Sequence, residues 1–390
     1  EISRPWATRA AARVRLAMGS LSTSTPSQSK ITSSVLAGGM SGATLGGRKA
    51  KVKAEVEGIR ETTMRLIAFA ATALFLSTAA AMSGPLEDLS AGIKATRQGR
   101  LEEALRLLGR AISSRQLAAP NRAAAHANRC LALVLLGRPG RALPDCTQAI
   151  LLRPRLVEAH INRGMAFRQL GRYDDALRDY SRALELRPGF LPALLNRAYV
   201  QYRAGRLARA RADYESVIKA RGALGPAHGG RGLVFFGLGG FARAAEDFAR
   251  AARLTPGEPL WPLWAHTAAR RGGRRSMLAA AARRWPPDAW PGPLYALFLG
   301  NTTAPAVLTR AGADDQRAPP AERCQALFFV AQYLLLRNRP KAAAQILERL
   351  LEIRASDVCD HAAARYELAR LRPSEPKPAP RPASEPTVDR

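Results

Sequence analysis

The chain has 390 residues, with 60 Lys plus Arg against 31 Asp plus Glu and a formal charge of +29. Apolar residues make up 47% but aromatics only 6%, which suits a core of Ala and Leu, and β-branched residues and Tyr are too sparse beyond residue 85 for a sheet-based fold. The 31 Gly follow no three-residue period, which excludes collagen; four Cys exclude a small disulfide scaffold; no uncharged apolar run reaches the ~20 residues of a membrane span.

Residues 1–63 differ from the rest, and Ser20–Gly47, rich in Ser, Thr and Gly, reads as disordered. Met64-Arg65, the apolar run Leu66–Leu76 and Ala79-x-Ala81 before Pro85 have the order of a secretory signal peptide over 64–81. A signal of this kind sits at an N-terminus. Met64 is therefore expected to be the true start, residues 1–63 a mis-called upstream extension, and the mature chain to begin near Met82. A buried apolar helix is the competing reading. No Cys follows the run before Cys130, so no lipid anchor is expected and the product should be a soluble periplasmic protein.

From Pro85 the sequence repeats every 34 residues. Gly137, Gly171, Gly205 and Gly239 each open the same six-residue pattern, ending at Ala142, Ala176, Ala210 and Ala244. The units are 85–118, 123–156, 157–190, 191–224 and 225–258, with four extra residues before 123. Position 8 is small (Cys130, Gly164, Ala198, Gly232), position 24 is mostly large (Cys146, Tyr180, Tyr214, Phe248), and position 32 is Pro or Gly. Small residues at 8 and 20 let two antiparallel helices approach, Gly at 15 ends the first helix and Pro at 32 stops the second. The period and these residues resemble the tetratricopeptide repeat (TPR). The resemblance implies an all-α solenoid of helix hairpins with a concave face lined by the first helix of each unit.

Four charged or polar columns run through the units. Arg129, Arg163, Arg197 and Arg231 at position 7 and Asp145, Asp179, Asp213 and Asp247 at position 23 are expected to pair and clamp helices together, a structural role. His126, His160 and His228 at position 4 are expected to pack rather than bind metal, because equivalent side chains of successive hairpins lie roughly 10 Å apart. Asn128, Asn162 and Asn196 at position 6 have two readings. As in some TPR proteins they could form a ladder holding the backbone of an extended peptide, or they are simply a subfamily consensus. Cys130 and Cys146 face one hairpin interior and read as packing residues. Cys324 and Cys359 lie one period apart at the same end of a later hairpin, either bridged or as two buried thiols.

No motif carries catalysis. Gly42–Lys49 lacks the Gly-Lys-Ser/Thr of a phosphate-binding loop, and Glu102-Glu103 and Asp174-Asp175 sit at second-helix starts, where acids suit the helix dipole. A non-enzyme without cofactor or metal is expected. Residues 85–390 hold 49 basic and 27 acidic groups with no block of five or six cations, so the charge reads as a solubilising Arg surface rather than a nucleic-acid site.

Beyond 258 the repeat decays. Helices are expected over Pro259–Arg271, Arg274–Trp285, Ala321–Leu336, Pro340–Ile353 and Asp360–Leu371, within a helical region 259–372 closed by a Pro-rich disordered tail, 373–390. The Trp261/Trp264/Trp285 hairpin, the Leu294–Asn301 segment and the Ala321–Tyr333 helix are similar to the end of the NlpI-type TPR lipoproteins of bacterial envelopes. That resemblance implies an adaptor for envelope proteins such as peptidoglycan hydrolases or an envelope protease, though the lipid anchor is not matched. A cytosolic Arg-rich scaffold for nucleic acid or ribosomes is the rival expectation, and oligomeric state is left open.

Overall fold

The computed structural model describes residues 84–276, 278–354 and 359–372. The upstream segment, the signal-like stretch 64–81 and the Pro-rich tail lie outside the described residues. Ten helices form five hairpins: α1 Pro85–Arg97 and α2 Leu101–Ser113, α3 Ala119–Leu135 and α4 Pro139–Leu152, α5 Val157–Gln169 and α6 Tyr173–Leu186, α7 Leu191–Arg203 and α8 Leu207–Ala220, α9 Gly225–Gly237 and α10 Phe241–Leu254. The four extra residues before 123 lengthen α3 at its start, where Pro120 is at home in the first turn. First helices pack on first helices along the chain, α1 on α3 through to α7 on α9, and so line one continuous inner face.

The turns follow from position 15. Gly99, Gly137, Gly171, Gly205 and Gly239 all take a left-handed backbone, φ +71° to +79°, which a side chain would resist. Asn338 does the same job in a later hairpin at φ 55°. Position 20 is a fully buried Ala in all five units, as a close approach of the two helices requires. Across from it, a Cβ on Gly164 would lie 2.8 Å from the Tyr180 ring, so the small residue at 8 and the ring at 24 are one packing unit. At the turn edge Arg138 reaches Glu102 (2.8 Å) and Arg206 reaches Asp174 (2.7 Å), each tying a unit to the one before. Being exposed, these links are worth ~0–1 kcal/mol apiece.

After α10 the geometry departs from the sequence reading. α11 runs Leu260–Arg271, but its expected partner shrinks to α12, Leu278–Ala282. Gly272-Gly273 and Pro286-Pro287 bracket that stretch and break helix on both sides. Two short helices follow, α13 Gly292–Leu299 and the unforeseen α14 Ala304–Arg310, capped by the Thr303 hydroxyl. α15 Pro320–Leu336 and α16 Pro340–Glu352 form the last hairpin, and α17 His361–Leu371 closes the described chain. α17 does more than cover the free end of that hairpin. It turns back across the first helices α7 and α9. No helix among the described residues is long and apolar enough to cross a membrane.

Candidate functional site on the inner face

Each Arg of the position-7 column holds its Asp with two parallel N–H bonds. Arg129 Nε and Nη2 lie 2.7 Å from the Asp145 carboxylate, and Arg163–Asp179, Arg197–Asp213 and Arg231–Asp247 repeat the fork at 2.8 Å. The pairs join the two helices of a single unit. Burial pushes the Asp145 carboxyl up, but hydrogen bonds from His126 and Arg129 outweigh it and hold the group below the usual carboxylate range. Asp179 is held down in the same way by Arg163 and His160. In the first unit the polarity is exchanged, with Asp88 on α1 accepting from Arg110 Nε on α2 at 3.0 Å.

The His column belongs to the same clamps. Nδ1 of His126, His160 and His228 faces the Asp of its own unit at 2.8, 3.5 and 3.2 Å. Nε2 of His160 and His228 faces the carbonyls of Pro154 and Gly222, both at position 32 of the preceding unit, at 3.0 Å. A ring held between these two oxygens staples one unit to the next.

The three Asn are not equivalent. Asn128 Nδ2 bonds the Ala124 carbonyl and Asn196 Nδ2 the Pro192 carbonyl, each at 2.8 Å and each one turn back on its own helix. Asn162 is buried and reaches across to the Ala127 carbonyl of α3 at 2.9 Å, where Gln169 Nε2 adds a second link to the Val134 carbonyl at 3.2 Å. Asn162 is therefore a stitch between units. Asn128 and Asn196 remain half-exposed, with Oδ1 and one N–H outside these bonds.

Along α7 the face continues at i, i+3 spacing through Tyr199, Tyr202 and Arg203. Tyr199 is sandwiched between the guanidiniums of Arg168 (5.6 Å) and Arg203 (5.7 Å), and Arg203 Nη1 donates to its hydroxyl at 2.7 Å. Arg203 is buried; burial works against its charge, but Tyr199 and Asp360 outweigh it and raise its pKa. This cation–aromatic stack was not foreseen. Its signal was Arg168 at position 12, where the neighbouring units carry Val134 and Tyr202, followed by Arg203 at position 13 of the next unit.

Both cysteine pairs are bridged. Cys324 and Cys359 have Cα atoms 5.4 Å apart and are disulfide-bonded. Cys130–Cys146 is also a disulfide, Cα–Cα 5.4 Å, which corrects the reading of these two as packing residues. The reason lies in the positions. Residues 8 and 24 touch across every hairpin, and two Cys there fill with a bond the space that Gly164 and Tyr180 fill with a ring.

Tetratricopeptide repeat family models match residues 157–190 and 195–259. Among solved structures, a tetratricopeptide repeat protein from Parabacteroides merdae ATCC 43184 is 16% identical, with a TM-score of 0.46 over 74% of this chain and 98% of that one. A thermophilic TPR protein of Thermus thermophilus is 18% identical (TM-score 0.40, covering 47% and 98%), and MamA from Desulfovibrio magneticus RS-1 is 22% identical (0.37, covering 42% and 90%). At these identities and scores the likeness carries no function. No curated protein matches the chain. The matched repeats and the helix hairpins define the class, an all-α TPR solenoid of the kind that serves as a protein-interaction scaffold. The chain carries tetratricopeptide repeats, and the comparisons bear on these repeats rather than on the NlpI-type resemblance.

Proposed function

We propose that the protein is an exported, non-enzymatic adaptor of the bacterial cell envelope that holds extended segments of partner proteins against the inner face of α3, α5 and α7. The observation that carries this reading is that face itself. Asn128, Leu131, Met165 and Asn196 stay half-exposed on it, so amide groups for a peptide backbone stand beside apolar contacts for its side chains. Export is supported by the pairing of all four cysteines, since disulfides persist in oxidising compartments, and by the signal-like residues 64–81. Peptidoglycan hydrolases and envelope proteases are the partner classes that the NlpI-type resemblance suggests.

Replacing Asn128 and Asn196 by Ala tests the groove. Recovery of envelope proteins should weaken by about 1–3 kcal/mol, two amide contacts' worth, with circular dichroism unchanged. Full recovery by a folded variant would remove the groove reading. Fractionation with mass spectrometry of the mature N-terminus tests the address. A protein starting near Met82 in the periplasm is expected, whereas an uncleaved cytosolic chain would favour the nucleic-acid or ribosome scaffold. In that rival case, affinity for polyanions should fall roughly 10³–10⁵-fold between 50 and 200 mM salt.

A further inference from the structure

The inner face is used differently at its two ends. Over α3, α5 and the start of α7 it is open, but at the ends of α7 and α9 it is covered by α17, a segment of the same chain. The seat is built at two helix ends. Arg365 Nη2 donates to the Arg203 carbonyl (3.3 Å) and Tyr366 OH to the Tyr202 carbonyl (2.7 Å), both at the end of α7. Arg370 Nη1 donates to the Gly237 carbonyl at the end of α9 (2.9 Å). Two guanidiniums thus meet the negative ends of two helices, where carbonyls lack partners within the helix. Tyr202 OH returns a bond to Asp360 (3.2 Å), which also caps α17 through the Ala363 N–H.

Fit and charge match as well. A Cβ on Gly237 would lie 2.9 Å from the Tyr366 ring, so α9 ends in the one residue that admits this seat. Ala362, Ala363 and Ala364 are fully covered, and Glu367, with no exposed surface, lies between Arg271 (3.0 Å) and Arg370. Immediately before α17, Cys359 is bonded to Cys324 of α15. An 11-residue helix is marginal when alone in water, so its place depends on this seat and this tether.

We infer that α17 is a built-in occupant of the inner face and that the Cys324–Cys359 disulfide is the latch that keeps it seated. With the latch open, the face of α7 and α9 becomes a docking site for a helix of the same chemistry: an alanine stripe followed by Tyr, Glu and Arg in the spacing of Tyr366, Glu367 and Arg370. The latch closes when the two thiols give two electrons and two protons to the disulfide of an oxidant, which leaves as a dithiol. A dithiol reductant reverses the exchange. Both cysteines are buried, at 2% and 1% exposure, so attack on the bond waits for a local opening around α17 and the closed state is long-lived.

This inference rests on the inner face being an interaction surface, and its test reads helix release apart from any envelope partner. The full chain carrying Cys324→Ser and Cys359→Ser, with Cys130–Cys146 intact, is compared with wild type by amide hydrogen exchange. Residues 361–371 should exchange at least 10-fold faster in the variant, while 85–190 stay unchanged. A fluorescent peptide of residues 359–372, with Ser at 359, should bind the variant at least 10-fold more tightly than the oxidised wild type. Tyr366→Ala with Arg370→Ala, which leaves the disulfide in place, should loosen the same residues without freeing them. Equal protection of α17 in the Cys324→Ser/Cys359→Ser chain would overturn the latch. So would loss of helix throughout that chain, since the bond would then be a general staple. Loosened α17 with no peptide binding would overturn the docking site.

Discussion

Residues 85–190 and residues 191–371 are built from the same kind of helix and hold together in different ways. In the first half the buried apolar residues fall into small clusters, each spanning one unit and its neighbour: Leu89, Leu107 and Leu108 in one, Cys130, Leu133 and Cys146 in the next, Ile161, Leu177 and Tyr180 after that. In the second half one large cluster runs from Ala198 to Ala364, beside a small one of Leu194, Val217 and Ala227. Its hub is Trp264, which lies 4.6 Å from the Phe328 ring and 5.2 to 5.5 Å from those of Phe236, Phe248 and Phe329. Stability in the first half is a sum of nearest-neighbour terms, as in a linear array. In the second half distant segments depend on one another, and the groove is folded shut in the process. The contrast shows how one repeat supplies an open recognition surface at one end and a closed globular end at the other.

The largest blow to this contrast should be Trp264→Ala, expected to cost about 3–5 kcal/mol. Hydrogen exchange should show α7 to α17 losing protection together while α1 to α4 hold. Loss spread evenly over the whole chain would mean that the halves are one cooperative unit. Removing the Cys130–Cys146 bond with two Ala should cost about 3 kcal/mol from the closing of a short loop, confined to the units beside it. Cys130→Gly with Cys146→Tyr, which installs the pair found at Gly164 and Tyr180, should cost less. Urea melts of the two variants settle the order.

Glu258, between α10 and α11 in the second half, sharpens the comparison by pH. Burial pushes its carboxyl up to about 7. The folded state then keeps a proton that the unfolded chain releases near 4.5, so stability is highest below that value and falls as pH rises through about 7. Glu258→Gln should remove on the order of 3 kcal/mol of that slope, seen as converging melts at pH 5 and pH 8. A slope unchanged by the variant would show that another group of the second half carries the titration. The smallest effect belongs to the open half. Asn162→Ala should cost about 1 kcal/mol by losing its link to α3, while Asn128→Ala, bonded only within its own helix, should cost a few tenths.

Much of the first half was legible because its constraints are local. The left-handed Gly at position 15, the Ala at 20 and the Arg–Asp fork sixteen residues apart recur in register, and a recurring residue type reports its own geometry. The staggered pairing of His160 with both Asp179 and the Pro154 carbonyl was less visible, since one partner lies in a different unit. The Cys130–Cys146 bridge could have been found by noting that 8 and 24 are the two positions that touch. α9 misleads by composition. Five of its 13 residues are Gly, a poor helix former, yet Gly229, Gly230, Gly232 and Gly237 each lie where a Cβ would strike the ring of Trp261, Tyr214, Phe248 or Tyr366.

The sequence by itself determined the repeat, its period, the hairpin with its turn and close approach, and the charged columns, because each depends on residues within 34 positions and is written again in every unit. Tertiary structure alone decided the rest: the shortening of α12 between glycines and prolines, the aromatic hub that merges units 191–258 with the later helices, and the return of α17 over α7 and α9. Those contacts join residues up to 164 positions apart, such as Tyr202 and Tyr366. They occur once, so no period announces them, and they hold through shape and the carbonyls of helix ends, which are brought together only after the solenoid has formed.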